Sequence, residues 1–239
     1  MKRIEKNGAV FYITAPQVTW VDNDKHLYEK IRYFANISYK KDFNPDGTWD
    51  ITKEDGKKIF KKLYKWGHWS VLEHVHFQFV VLCSRACTHQ LVRHRLASYT
   101  QRSQRYITED VPIVVLPPHL QDNDMLLISI ADSILYYNRL INTGIKPEDA
   151  RYVLPNAIGS YIGMTVNLRE LIHMAEERLC TKAQWEIRYV FNQIKYQLSY
   201  DYPEISEVLQ PKCYRLKYCP MNAKKCPYYK LYVKEDDAQ

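Results

Sequence analysis

The stretch Gln90-Leu91-Val92-Arg93-His94-Arg95-Leu96-Ala97-Ser98-Tyr99-Thr100-Gln101-Arg102-Ser103-Gln104-Arg105-Tyr106 holds four arginines, one histidine, three glutamines and no carboxylate. Guanidinium forks pair bidentately with phosphate or carboxylate, and Ser, Thr and Gln add neutral hydrogen bonds. The first reading is a binding segment for a phosphate-bearing small molecule. The bland reading is a solvated basic face, the commoner outcome for charge runs. Leu91, Val92, Leu96, Ala97 and Tyr99 interrupt the run, so part of it is expected to be buried, which favours a site. Ser84 to about Arg95 reads as a helix, with Ala86, Cys87, Gln90 and Leu91 near one face. Ser98 to Arg105 reads as a loop or extended segment laid across a pocket.

Upstream, Val10-Phe11-Tyr12-Ile13-Thr14 is β-branched and aromatic and reads as a strand that Pro16 ends and Val18-Thr19-Trp20-Val21 resumes. Asp22-Asn23-Asp24 offer N-caps for a helix to Tyr39 with Leu27, Ile31, Phe34 and Ala35 at helical spacing. Asn44-Pro45-Asp46-Gly47 is turn chemistry. Thr52 opens a second helix that stops near Gly67. His68 to His74 reads as a loop or short helical turn, and His74 to Leu82 as a strand.

Downstream, Ile113 to Leu116 is extended and bounded by prolines, as on a sheet edge. A long helix covers Asp122 to Asn142. A short one starts at Pro147 and ends before Pro155. Ile158 to Val166 is a strand. The next helix begins at Asn167 with Leu168, Leu171, Ile172, Ala175 and Leu179 as its core stripe; Glu170, His173 and Glu176 fall elsewhere. Arg178 sits at the edge of that stripe, where a cation needs an anionic partner. A further helix covers Lys182 to Tyr200. Strands and helices are interspersed, so the class is α+β or α/β.

The chain has 239 residues, 46% hydrophobic, enough to bury a sizeable core, and carries a formal charge of +7. Anionic ligands suit that charge. No apolar leader follows Met1 and no window reaches membrane-span length, so a cytoplasmic protein with no membrane contact is expected. Its six cysteines are then reduced or metal-bound. No Walker or Rossmann glycine fingerprint exists, so nucleotide phosphates fall to side chains. No H-E-x-x-H occurs, and Glu170-x-x-His173 lacks the second copy that a di-iron bundle needs; no catalytic metal is assigned. Cys213, Cys219 and Cys226, with Cys180 as a fourth, have looser spacing than the C-x2–4-C pairs of zinc sites; free thiols are the alternative. Two rivals are a nucleic-acid binder using the arginine run on phosphates and a phosphoryl or nucleotidyl transferase, which would want a carboxylate–Mg²⁺ site that Asp46, Asp50, Glu109 and Asp110 do not form.

The spacing Arg93-His94-Arg95, seven residues, Ser103, one residue, Arg105 resembles the signature of flavin-dependent thymidylate synthases. His68-x-Ser70-x-x-Glu73-His74 is similar to that family's upstream segment, and Cys180 with Ala183-Gln184-Trp185-Glu186-Ile187-Arg188 to its downstream one. The resemblance implies flavin contacts from Ser70, Arg93, His94, Arg95, Gln101, Asn167, Leu168, Arg169 and His173. It implies deoxyuridylate contacts from Gln90, Leu91, Val92, Arg93, Gln101, Arg102, Ser103, Gln104, Arg105, Arg151 and Arg178. Arg178 matches the arginine that stabilises negative charge on the pyrimidine. Gln101 stands where many members carry Glu.

The implied reaction is reductive methylation of dUMP to dTMP. 5,10-Methylenetetrahydrofolate gives the carbon, FAD reduced by NADPH gives the hydride, and no protein nucleophile is required. The implied fold is α+β, a single domain with a mixed or antiparallel sheet flanked by helices, assembled as a homotetramer with shared sites. Residues 1–210 are then the catalytic domain and 211–239 a cysteine-containing extension packed on it, with no nucleic-acid partner.

Overall fold

Two residues with positive φ, Asn7 at 51° and Gly8 at 86°, turn the chain back on itself. They join β1 (Lys2–Lys6) to β2 (Ala9–Thr14), with Lys6 opposite Ala9. Asn-Gly with both residues left-handed is the two-residue hairpin turn whose twist matches the strands. Sequence periodicity picks out β2 but not β1, because Lys2-Arg3-Ile4-Glu5-Lys6 buries Ile4 alone.

The computed structural model describes residues 1–22, 26–40, 52–108 and 111–233. After the hairpin come β3 (Gln17–Trp20), α1 (Leu27–Tyr39), α2 (Lys53–Trp66) and a 3-10 turn at Ser70–His74. β4 (His76–Ser84), α3 (Arg85–Leu91), β5 (Ala97–Gln101) and β6 (Ile113–Val115) follow. Then come α4 (Asp124–Asn142), α5 (Pro147–Ala150), β7 (Gly159–Asn167) and α6 (Leu168–Arg178). The chain closes with α7 (Trp185–Asp201), α8 (Pro203–Val208), α9 (Lys212–Leu216) and α10 (Pro227–Tyr232). The caps expected at Asn23 and Asp24, the turn at Asn44 to Gly47, the acidic residues Asp46, Asp50, Glu109 and Asp110, and the tail from Lys234 lie outside the described residues. His26 stands at the start of α1.

The α+β class is as expected, and the mixed and antiparallel pairings occupy separate sheets. One has order β1-β2-β6, with β6 parallel to β2 and at the edge, as its flanking prolines require. The other is antiparallel, order β3-β4-β7-β5. β4 and β7 pair along their whole lengths, from His76 opposite Asn167 to Ser84 opposite Gly159. Phe77, Phe79, Val81, Ile162, Met164 and Val166 point from that ladder into the larger core, against α1, α2, α6 and α7. Burying each such side chain contributes roughly 1.5–3 kcal/mol. A smaller core sits between the first sheet and α4, built from Phe11, Ile13, Val114, Ile130 and Ile134.

α2 begins at Thr52, whose hydroxyl accepts the Asp55 N–H, and stops at Gly67, which is left-handed at φ 76°. Inside α2, a Cβ on Gly56 would stand 2.1 Å from the Tyr28 carbonyl oxygen, so only glycine lets α1 and α2 approach this closely. Among the described residues no helix is long and apolar enough to cross a membrane.

Candidate active site

The donor-rich run is bent sharply rather than helical throughout. The Ser84 hydroxyl caps α3 by accepting the Cys87 N–H, and Glu186 of α7 accepts both the Ser84 N–H and its hydroxyl. α3 was expected to reach Arg95 but ends at Leu91. The His94 N–H turns back to the Leu91 carbonyl, and the Tyr99 hydroxyl donates to the carbonyls of Leu91 and His94. Those bonds replace further helical ones, so Arg93, His94 and Arg95 lie in turns. His94 is buried while Arg93 and Arg95 are exposed. β5 then lays Ala97–Gln101 along β7 as the extended segment.

His94 meets Arg178 in the interior. Arg178 Nε donates to His94 Nε2 at 2.9 Å, and Arg178 Nη2 to the Gln90 carbonyl at 3.4 Å. His94 Nδ1 lies 3.4 Å from Glu170 Oε1, and the His173 ring stands edge-on 5.9 Å away. Burial first, then the Arg178 charge, lower the His94 pKa to about 4. The imidazole is therefore neutral at pH 7. Since Nε2 accepts from Arg178, its proton sits on Nδ1, facing Glu170. Burial raises the Glu170 carboxyl above the usual carboxylate range. The stripe-edge arginine thus has a neutral acceptor and a backbone carbonyl, and its charge is held beside a neutral imidazole. His94, Glu170 and His173 present ligand atoms within 4.8 Å of one another, as do Cys83, Cys87 and Glu186. In each set a member is already committed, His94 to Arg178 and Glu186 to Ser84.

Two clefts receive the rest. One, about 310 Å³, is lined by Arg85, His89, Gln104, Arg151, Tyr152 and Asn156 among others, with no carboxylate. Burial and the nearby Arg151 charge lower the Arg85 pKa. The other, about 480 Å³, is lined by Trp69, Glu73, Asn167, Arg169, His173 and Arg215 among others, with Glu170 and Glu176 also on its wall. Here each arginine has a carboxylate. Arg169 pairs with Glu73, and Arg215 grips buried Glu176 through two N–H···O bonds while stacking on Trp69 at 5.2 Å.

Residues 21–204 match the family model described as Thymidylate synthase complementing protein. A flavin-dependent thymidylate synthase of Pyrococcus furiosus is 39% identical over 218 residues, covering 85% of this chain and 89% of that protein. One from Clostridium tetani is 36% identical over 198 residues, covering 74% and 79%. This chain belongs to that family. The fold agrees with a solved UMP/dUMP methylase, PolB from Streptomyces cacaoi bound with 5-Br dUMP, at TM-score 0.70 and 22% identity over 83% of this chain and 96% of that one.

The family-like segments divide between the clefts. Gln104 and Arg151 come together in the first, and Asn167, Arg169 and His173 in the second. Ser70 opens the 3-10 turn, on the surface beside Trp69. Val92 is exposed. The side chains of Leu91 and Leu168 are fully buried in the larger core, so only their backbones can face a ligand. Asn167 Oδ1 accepts the Glu170 N–H and caps α6. The Gln101 amide donates to the hydroxyls of Thr88 and Ser160. Arg102 donates its backbone N–H to Tyr161. Ser103 Oγ accepts the Arg105 N–H at 3.1 Å, and Arg105 pairs with Glu148.

Sequence reasoning missed Arg85 and His89 in the first cleft; their i, i+4 spacing on α3 was the available signal. It also placed Glu170 and Glu176 off the core face of α6, yet both are buried, because His94 and Arg215 come from other segments to meet them.

Proposed function

We propose that this chain is a flavin-dependent thymidylate synthase that converts dUMP to dTMP. The carrying observation is the interior pair of Arg178 and neutral His94, on a chain of this family. The Arg178 guanidinium keeps N–H groups beyond the two it spends on His94 and Gln90. Those are available to negative charge developing on a pyrimidine ring, in a half-buried setting where such charge is stabilised more than in bulk water. The nucleotide phosphate goes to the cleft of Arg85, Gln104 and Arg151, whose cations face no lining carboxylate.

The second cleft fits an anionic dinucleotide. Asn167, Arg169, His173, Lys212 and Arg215 supply donors, and Trp69 an aromatic wall. FAD is assigned there, contacted also by Ser70, Arg93, His94, Arg95 and Gln101. When bound and reduced by NADPH, it would supply the hydride, with 5,10-methylenetetrahydrofolate giving the carbon. The protein's part is to bind, orient and exclude water. No protein nucleophile enters. The hydrogen bond with Cys83, and then burial, push the Cys87 thiol well up, and Ser103 is a turn former and substrate ligand.

Exposed Arg93 and Arg95 support sites completed by a second subunit in a homotetramer, acting in the cytoplasm. The uncovered face of the four-stranded sheet, with Gln78, Val80, Ser98, Thr100 and Thr165 around a hollow, offers a surface for that assembly. The extension from 211 packs on the catalytic body through Arg215.

The test is the absorption spectrum of the purified protein, before and after NADPH, with dTMP formation followed by chromatography. Flavin bands that bleach, and dTMP that needs the folate, are expected. Colourless protein that neither takes up FAD nor forms dTMP overturns the reading.

A further inference from the structure

Residues 211–233 have almost no core of their own. Of these only Pro211 and Cys213 are buried. The helices here are 5 and 6 residues long, far below the length at which a helix is stable alone. The two loops between the cysteines each contain a non-glycine residue in the left-handed region, Lys217 at φ 61° and Asn222 at φ 45°. Such backbone is disfavoured for a residue with a side chain and persists only where the surroundings over-determine it. Small segments without a core are usually held by a metal or a disulfide.

The cysteines converge from three separate places. Cys180 follows the end of α6, and the hydroxyl of its neighbour Thr181 contacts Cys226 Sγ at 3.2 Å. Cys213 lies on α9 within electrostatic reach of the sulfurs of Cys219, Cys180 and Cys226. Tyr214 and Tyr232 pack edge-on at 5.2 Å and bring α9 against α10. Two of the sulfurs also have hydrogen-bond partners. Ala223 N–H points at Cys219 Sγ at 3.5 Å, and the Thr181 hydroxyl lies against Cys226 Sγ. N–H···S bonds of this kind hold thiolates in the orientation that a metal requires. Cys219 and Cys226 are half exposed, so they are not core fillers.

We propose that Cys180, Cys213, Cys219 and Cys226 form a structural zinc site that fastens residues 211–233 to the end of α6. Zinc takes four thiolates tetrahedrally. The resulting complex is dianionic, and Lys182, Lys224 and Lys225, which line the cavity beside Cys226, supply the opposite charge. Among the described residues, the sets whose ligand atoms lie within 4.8 Å of one another are elsewhere, so zinc binding draws these four sulfurs closer together than they stand here. Binding releases the thiol protons and changes no oxidation state. The site ties α9, with Lys212 and Arg215 on the wall of the second cleft, to the helix that ends in Arg178.

The experiment is elemental analysis of the full chain purified without chelator, together with cobalt exchange. About one zinc per chain is expected, with thiolate-to-cobalt charge-transfer absorption after exchange. Cys219→Ser and Cys226→Ser should each lower zinc occupancy roughly tenfold and speed proteolysis of the extension. Protein that holds no zinc and takes up no cobalt overturns the proposal. So does a mass showing these cysteines paired as disulfides, or iron with acid-labile sulfide in place of zinc.

Discussion

The cleft at Arg85 and Arg151 and the cleft at Arg169 and Arg215 hold their arginines in opposite electrostatic states. In the first, burial and then the charge of Arg151 lower the Arg85 pKa, no carboxylate lines the cleft, and Glu148 on neighbouring α5 is paired with Arg105. In the second, Glu73 and Glu176 already balance the cations. A site that stores repulsion gains most when a phosphate arrives. A site with paired arginines fixes their position and gains less from charge. That difference is what the proposed assignment rests on, with a phosphate in the first cleft and a larger ligand oriented in the second. Arg178, bonded to a neutral His94, follows the first pattern in the interior.

The largest test bears on Arg178. Arg178→Ala should lower kcat/KM for dTMP formation roughly 10²–10³-fold, the scale of losing one preorganised donor to developing charge. Arg178→Lys should not restore it, since an ammonium cannot span His94 Nε2 and the substrate as a fork does. A variant that keeps its rate in steady-state assays would remove Arg178 from the chemistry.

His94 gives the next effect, through pH. Its folded pKa, about 4, lies below the unfolded value of 6.5, so the folded state binds fewer protons between them. Its contribution to stability is complete above pH 6.5 and is lost as pH falls towards 4, on the order of 2–3 kcal/mol in all. Glu170 and Glu186 are raised by burial and act in the opposite sense at the lower end. Comparing urea unfolding of the native chain with His94→Gln across this range isolates the histidine. Equal slopes would mean that His94 is charged in the fold.

The clefts themselves separate by a pair of variants. Arg151→Ala should raise KM for dUMP roughly tenfold, about 1.4 kcal/mol, and leave flavin content unchanged. Arg169→Ala should weaken flavin retention by a similar factor with less effect on dUMP. Titration of both ligands into both variants checks this, and a reversed pattern would exchange the assignments. The smallest effect belongs to Asn167. Loss of its cap in Asn167→Ala should cost about 1 kcal/mol, some 2–4 °C in Tm. Asn167→Asp should keep the cap, so any flavin defect it shows in calorimetry and spectra belongs to the ligand.

Legibility in the sequence followed how local the cause was. The caps of α2, the central strands and the α6 stripe are set by residues a few positions apart, and their patterns could be read directly. β1 could not be read from its own pattern, since Ile4 alone faces inward; only Asn7-Gly8 carried a local signal for it. The end of α3 at Leu91 depended on Tyr99 capturing two carbonyls from a neighbouring strand. Burial of Glu176 depended on Arg215, 39 residues further along.

The amino-acid sequence by itself determined most element types, the donor-rich run and the family, because residue type and spacing carry these. Tertiary structure alone decided that the run feeds two clefts, that His94 is neutral while Arg93 and Arg95 face outward, and that Arg85 joins Arg151. These depend on burial and on the fields of residues far apart in the chain, and a pKa or an ion pair exists only once folding has removed water from between the partners.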